Sequence, residues 1–372
     1  MSSGLVYLVT GGCGFLGERV VDLLLNQKYI TEIRVLDKTA TEDVKKLWKD
    51  LSKVNIIYAD ITDFNQLLKA MNGVHVVIHS AAIVDYVDLT PEGQMEEVNV
   101  GGTRNVLKAC SVLNIQYLVY TSSIAALGPN TKGEPLKRGT EESLYTGELL
   151  LNYGKTKAIA EKLVLGANGT QLPSGEHFYS CVIRPAGIYG EKHKDTLTVY
   201  RNAKAKNGVM NFICPLDSEM VYAYVGNVAW MHVLAAKELQ AKPEKLGGQL
   251  YFAYDDTPLK SITMFHYELF SKMDPSIKLG KQIPYWVIWM IVFLYTLFKT
   301  LLRPFWNLKP FLTFPALQFI VTTFSYKTDK AFRHFEYQPL YSWEESRRKT
   351  CKWMQTVVNQ ASNHESDSNL FP

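Results

Sequence analysis

Leu5-Val6-Tyr7-Leu8-Val9-Thr10-Gly11-Gly12-Cys13-Gly14-Phe15-Leu16-Gly17 decides the fold. Leu5 to Val9 is an unbroken apolar run, the pattern of a parallel strand buried on both faces. Glycines follow at 11, 14 and 17, and an amphipathic helical run over Phe15–Asn26 carries Phe15, Leu16, Val20, Leu23 and Leu24 on one side. Between a strand and a helix this glycine spacing meets three demands. The chain turns sharply, the backbone comes close to a pyrophosphate, and the helix packs tightly on the strand; a Cβ obstructs each. The helix start then offers free N–H groups and a positive dipole to phosphates. Gly11, Gly14, Phe15, Leu16 and Gly17 are therefore candidate residues of a dinucleotide site.

Short buried strands are expected outward from this unit at Ile33–Leu36, Asn55–Tyr58, Val74–Ile78, Tyr117–Tyr120 and Phe178–Ile183. Helical connectors such as Asp63–Met71 and Val98–Leu113 separate them. This alternation implies right-handed βαβ units and a Rossmann-type, doubly wound parallel sheet. Asp37 ends the second strand about twenty residues past the glycines. A carboxylate there bonds ribose hydroxyls and repels a 2′-phosphate, which favours NAD over NADP. Lys38 beside it would partly offset that repulsion. Asp60 and Ile61 end the third strand, where an adenine edge is reached.

Tyr153 and Lys157 form a YxxxK pair that shares one face of a helix. A phenol has an ordinary pKa near 10, and a nearby ammonium favours its ionised form, so the pair suits general-base work. Some thirty residues earlier, Ser123 closes Tyr120-Thr121-Ser122-Ser123 at a strand end, where a hydroxyl orients a substrate oxygen. His79 and His232 have no neighbours that complete a metal set, so no metal is expected and packing or hydrogen-bonding roles are assigned to both.

Beyond Gly190 the alternation breaks down. Asn227–Leu239 and Trp343–Val358 read as amphipathic helices and Gln249–Tyr254 as a late strand. The organisation expected is a nucleotide-binding domain over 1–190 and a smaller substrate lobe over 191–372 that caps the strand ends. Ile283–Phe298 is free of charge between Lys281 and Lys299, and the apolar segment extends over 283–302. A second apolar stretch runs from Phe311 to Phe324. A spanning helix needs roughly 20 apolar residues. The first stretch therefore reads as a spanning helix, a surface anchor or a buried lobe helix, and membrane association is the expectation. Tyr285, Trp286, Trp289 and Trp306 suit an interfacial belt.

The chain has 372 residues and a net charge of +4 with mixed signs, which gives no nucleic-acid signal. Its five scattered cysteines lack CxxC or Cys/His spacing, so a disulfide framework and a zinc site are not expected. No basic region followed by an apolar core precedes the first strand, so membrane contact is expected from within the chain.

The order TGGxGFLG, Leu36-Asp37-Lys38, His79-Ser80-Ala81-Ala82, Asn99-Val100, TSS, YxxxK and Arg184-Pro185-Ala186-Gly187-Ile188-Tyr189-Gly190 resembles the extended short-chain dehydrogenases. Four finer motifs resemble the 3β-hydroxysteroid dehydrogenase/Δ5-4 isomerases across nearly the whole chain. They are Gly128-Pro129-Asn130, Val225-Gly226-Asn227-Val228-Ala229-Trp230, Asp255-Asp256-Thr257-Pro258 and Pro339-Leu340-Tyr341-Ser342-Trp343-Glu344-Glu345. Gly11-Gly12-Cys13-Gly14, the run from Gly128 to Gly133, and Trp230-Met231-His232 lean towards the branch acting on C27 sterols of bile acid synthesis.

The resemblance implies that Tyr153 takes the 3β-hydroxyl proton, that Lys157 lowers its pKa and holds the ribose, and that Ser123 bonds the same oxygen. Hydride would pass to NAD, with Ala81 bordering the cofactor. The 3-keto-Δ5 product would isomerise to the Δ4 form, with Asp255 or Asp256 as acid/base. The resemblance also implies a membrane-bound protein of endoplasmic reticulum, or of mitochondria, with a cytosol-facing catalytic domain, and a homo-oligomer. Three departures stand out: Thr156 where the family has serine, Glu148–Asn152 in place of a Pro/Tyr-rich run, and the basic Lys192-His193-Lys194. The competing functions are a sugar-nucleotide epimerase, a hydroxy-ketone reductase, and a nucleotide-sensing scaffold that would commonly have lost the tyrosine or lysine.

Overall fold

The computed structural model describes residues 4–49, 51–302 and 312–368, those after 360 by backbone alone. Seven strands form one sheet: β1 (Leu5–Thr10), β2 (Ile30–Asp37), β3 (Val54–Tyr58), β4 (Val76–His79), β5 (Tyr117–Thr121), β6 (Tyr179–Arg184) and β7 (Leu250–Phe252). Every neighbouring pair is parallel, in the order β7-β6-β5-β4-β1-β2-β3. Val9 lies opposite Val35 on one side and Ile78 on the other. The expected strand bounds move by a few residues. β4 starts at Val76 because Val74 is tied into a turn after Gly73, its N–H donating to the Met71 carbonyl. β2 starts earlier because polar Glu32 and Arg34 pair with β1 as well as the apolar residues do.

Alternation along the strands builds two cores. Tyr7, Val9, Ile78, Val119 and Ile183 join one apolar cluster. Leu8, Val77, Leu118 and Val182 join the other. Helices α1 (Phe15–Leu25), α2 (Phe64–Met71), α3 (Thr103–Val112), α4 (Asn152–Ala167) and α5 (Val225–Ala241) cover the two faces. Leu16, Val20 and Leu24 of α1 share the first cluster with Val225 and Val228 of α5. Leu67, Val106, Ala160 and Val164, from α2, α3 and α4, lie in the second. Both faces are thus closed, as a continuous apolar strand requires. Two elements from beyond residue 190, β7 and α5, return to this sheet, so the chain interleaves the nucleotide half with the lobe.

The rest of the lobe includes α6 (Ile262–Met273), α7 (Tyr285–Leu302), α8 (Phe314–Val321) and α9 (Trp343–Ser368). Helix α7 is the one described helix long and apolar enough to cross a membrane. At 1.5 Å per residue its 18 residues span about 27 Å. Val292 is its one buried residue, while Trp286 is 68% and Leu301 67% exposed. The buried-lobe-helix alternative is therefore not what the structure contains. Trp289 packs on Phe314 of α8, and Gln318 donates to the Tyr285 hydroxyl at 2.9 Å. Trp306 and Phe311 lie outside the described residues.

Candidate active site

A cavity of about 700 Å³ lies at the C-terminal ends of the strands, the ligand position of an open α/β sheet. The sequence candidates Gly11, Gly14, Phe15, Leu16, Gly17, Asp37, Asp60, Ile61, Ala81, Ser123, Tyr153 and Lys157 all line it. Gly11 has φ +67°, and a Cβ there would sit 2.7 Å from the Ala81 Cα. A Cβ on Gly17 would lie 2.1 Å from the Gly11 carbonyl oxygen, so helix and turn touch through bare backbone. Gly14 caps α1 without a side-chain acceptor, which leaves the first N–H groups of the helix to a ligand. The Cys13 N–H donates to Asp37 Oδ2 at 3.1 Å, holding the carboxylate beside the glycine turn. Lys38 is paired with Asp60 at 2.8 Å. Burial pushes the Asp60 carboxyl up, but hydrogen bonds from Lys38 and Thr62 outweigh it and hold the group below the usual carboxylate range. A glycine cradle, a free helix start and a strand-end carboxylate fit a dinucleotide with an unphosphorylated adenosine ribose.

At the other end lie Ser123, Tyr153 and Lys157. Helix α4 carries the last two one turn apart, and it comes close because Gly154 faces the Ala125 carbonyl, where a Cβ would be 2.3 Å away. The Lys157 ammonium donates to the Thr121 carbonyl at 2.5 Å and lies 4.4 Å from the Tyr120 ring centre. Burial pushes its pKa down to about 7, against the opposing pull of Glu161. Glu161 is itself engaged with Arg184 in a buried ion pair and accepts from the Ser122 hydroxyl at 2.6 Å. Burial also pushes the Tyr153 phenol well above its ordinary value, while a hydrogen bond with Ser123 pulls it down. In the protein alone the Tyr153 phenol thus favours its neutral form and Lys157 loses its usual strong preference for the charged one, and a positive charge beside Tyr153 would favour the phenolate. Thr156 keeps the hydroxyl expected of the family's serine, accepting from Asn99 Nδ2 at 3.0 Å and donating to the Tyr153 carbonyl at 2.8 Å.

Two residues of this end were not singled out as site residues by the sequence. Tyr86 follows β4, and its hydroxyl lies 3.2 Å from Ser123 Oγ. Asn99 sits in a π-helical turn over Glu97–Gly102 and clamps Ile83, accepting from its N–H at 2.8 Å and donating to its carbonyl at 3.0 Å. The irregular turn carried a signal only in Asn99-Val100, which the family motif marked without giving a role. The cavity's far wall is formed by the lobe, with His193, Tyr222, His266 and the α8 residues Ala316, Phe319 and Ile320.

The two aspartates expected to serve isomerisation are not brought to this cavity. Asp255 is committed to backbone and amide donors: Tyr224 N–H at 2.7 Å, Asn227 Nδ2 at 2.9 Å and Thr257 N–H at 2.9 Å. It fastens the segment after β7 to the start of α5, and Asp256 does not line the cavity either. His79 is bonded on both ring nitrogens, to the Thr10 hydroxyl at 2.6 Å and the Thr103 hydroxyl at 3.0 Å. His232 lies between the Thr121 hydroxyl at 2.9 Å and the Val228 carbonyl at 2.8 Å. Both rings are buried and hydrogen-bonded within the core.

Fold and cavity together define an α/β protein of the short-chain dehydrogenase type. Solved structures agree on the fold. UDP-glucuronic acid 4-epimerase from Bacillus cereus, in complex with UDP-glucuronic acid and NAD, superposes over 95% of this chain and 100% of its own with TM-score 0.70 at 15% identity. The structure of gox2253 covers 95% and 98%, with TM-score 0.70 at 20% identity.

Sequence comparison narrows the class. The 3-beta hydroxysteroid dehydrogenase/isomerase family model matches residues 8–284. Human 3 beta-hydroxysteroid dehydrogenase type 7 is 42% identical over 359 residues, covering 96% of this chain and 97% of that protein. The 3 beta-hydroxysteroid dehydrogenase/Delta 5-->4-isomerase of vaccinia virus (strain Western Reserve) is 37% identical over 350 residues, covering 94% and 99%. The chain belongs to the 3-beta hydroxysteroid dehydrogenase/isomerase family.

Proposed function

We propose that this protein oxidises the 3β-hydroxyl of a Δ5 sterol to the 3-ketone with NAD, and that the product then isomerises to the Δ4 form. One observation carries the reading: a single cavity is lined by the glycine turn and Asp37 at one end, by Ser123, Tyr153 and Lys157 at the other, and by apolar lobe residues opposite them. Asp37 would select NAD through the ribose hydroxyls. Tyr153 accepts the hydroxyl proton, Ser123 hydrogen-bonds the same oxygen, and Lys157 stabilises the phenolate. Bound oxidised NAD supplies the hydride acceptor and a positive charge that favours the ionised phenol. Balance is simple: C3 loses a hydride, its oxygen loses a proton to Tyr153, and a C=O bond forms. Isomerisation moves one proton from C4 to C6, and the acid/base for it belongs among the cavity groups, not at Asp255.

The C27 branch is supported by the similarity to the type 7 enzyme. Membrane attachment through α7 is supported by the exposed apolar helix and by the solubility of sterols in bilayers; the cytosolic face of the endoplasmic reticulum is the location that the family resemblance implies. Residues 1–190 would supply most of the nucleotide site and 191–372 the substrate lobe. Purified protein with NAD and a panel of C19, C21 and C27 3β-hydroxy-Δ5 sterols tests the proposal. NADH and 3-keto products are expected, greatest with C27 sterols, and Tyr153→Phe should abolish turnover while still binding NAD. Turnover of sugar nucleotides in place of any sterol would overturn it.

A further inference from the structure

Three hydroxyls meet at the reacting end of the cavity: those of Ser123, Tyr153 and Tyr86. A serine has one proton to donate and two lone pairs that accept. One lone pair of Ser123 takes the Ala125 N–H at 3.1 Å. The Tyr86 hydroxyl, 3.2 Å away, is placed to fill the second. With both filled, the serine proton is left to point at Tyr153 or at an oxygen bound beside it. The geometry of Tyr86 is built and not incidental. The Asp85 carboxylate pins its loop by accepting the N–H groups of Val87 at 2.9 Å, Leu89 at 2.7 Å and Thr90 at 2.6 Å. The Tyr86 ring meets Tyr153 edge-on, 5.1 Å between centres, and lies tilted against Phe319 of α8 at 4.8 Å, with its hydroxyl in hydrogen-bonding reach of Tyr153 as well as Ser123.

We propose that Tyr86 is a positioning residue for the dehydrogenase step: its hydroxyl donates to Ser123 and thereby commits the serine proton to the oxygen being oxidised. No bond to Tyr86 forms or breaks. Phe319 backs the ring, so the same contact ties the lobe wall to the reacting hydroxyls. This inference rests on the function proposed above.

The test is a double-mutant cycle on the full chain with Tyr86→Phe and Ser123→Ala. Tyr86→Phe keeps the ring and removes one hydroxyl. It should lower kcat about five- to tenfold, as the loss of one aligned hydrogen bond does, with KM for NAD unchanged and KM for the sterol within about twofold. In the Ser123→Ala background the same change should cost clearly less, because the part of its effect that runs through the serine is already lost. Unchanged kcat in Tyr86→Phe, or effects that multiply across the two sites, would overturn the proposal. Absent turnover in the wild type would instead count against the function itself. The cycle is then read on thermal unfolding without substrate, where coupled losses support the Tyr86–Ser123 bond and purely additive ones refute it.

Discussion

At the end of β2 a carboxylate is held by the turn it serves: Asp37 accepts the Cys13 N–H at 3.1 Å. Replacing it with alanine should raise KM for NAD by about tenfold or more and raise the relative use of NADP, since the 2′-phosphate then meets no repulsion. Steady-state kinetics with both cofactors check this; an unchanged preference would mean that selection lies elsewhere. Gly17→Ala should cost about 3 kcal/mol of stability in chemical unfolding, because its Cβ would meet backbone, which cannot yield as a flexible side chain can. The residues legible in the sequence were those whose demand is local. Glycines at a strand-to-helix turn, and a tyrosine four before a lysine, signal themselves by spacing. Tyr86 gave no such signal, because its role depends on a loop pinned by Asp85 and on Phe319, far along the chain. The placement of Asp255 was not legible for the converse reason: a carboxylate in a turn before a proline looks the same whether it faces a cavity or backbone N–H groups.

Among the elements, the sheet strands were legible because burial on both faces leaves continuous apolar runs. The short strands outside the main sheet, such as Gly187–Tyr189 and Val209–Phe212, carry too few residues for a period to emerge. Helix α7 was visible as an uncharged run, but only the structure separates an exposed apolar helix from a buried one. Its outward face predicts membrane attachment. Phe293→Lys with Leu294→Lys, at positions 42% and 54% exposed, should shift the protein from vesicles to the soluble fraction in flotation, since each lysine costs about 3 kcal/mol in hydrocarbon. NAD affinity should not change. Full retention on vesicles by the double variant would remove α7 as the anchor.

For the molecule as a whole, three buried histidines set an acid limit. Burial pushes His79 down to about 3, His232 to about 4 and His266 to about 4. An unfolded histidine binds its proton near pH 6.5, so between there and about 4 the unfolded chain holds protons that the native one refuses. Stability is therefore expected to fall as pH drops through this window. Lys157, lowered to about 7, has the same sign over a higher window. Lys157 by itself makes the cofactor-free protein gain stability as pH rises above about 7, until near pH 9 the thiols of Cys13, Cys110 and Cys181, pushed up by burial, begin to ionise in the unfolded chain and oppose the gain. Thermal midpoints measured from pH 4 to 10 check both windows. A Lys157→Met variant should be the more stable protein at pH 7 and lose that advantage as pH rises.

The central claim is that one cavity brings a sterol C3 hydroxyl and an NAD nicotinamide together at Tyr153. A sterol carrying deuterium at C3 tests it most directly. The deuterium is expected in the reduced NAD, one for each 3-ketone formed, and the transfer should cease with Tyr153→Phe. Deuterium released to water, or ketone formed without reduced NAD, would contradict the account.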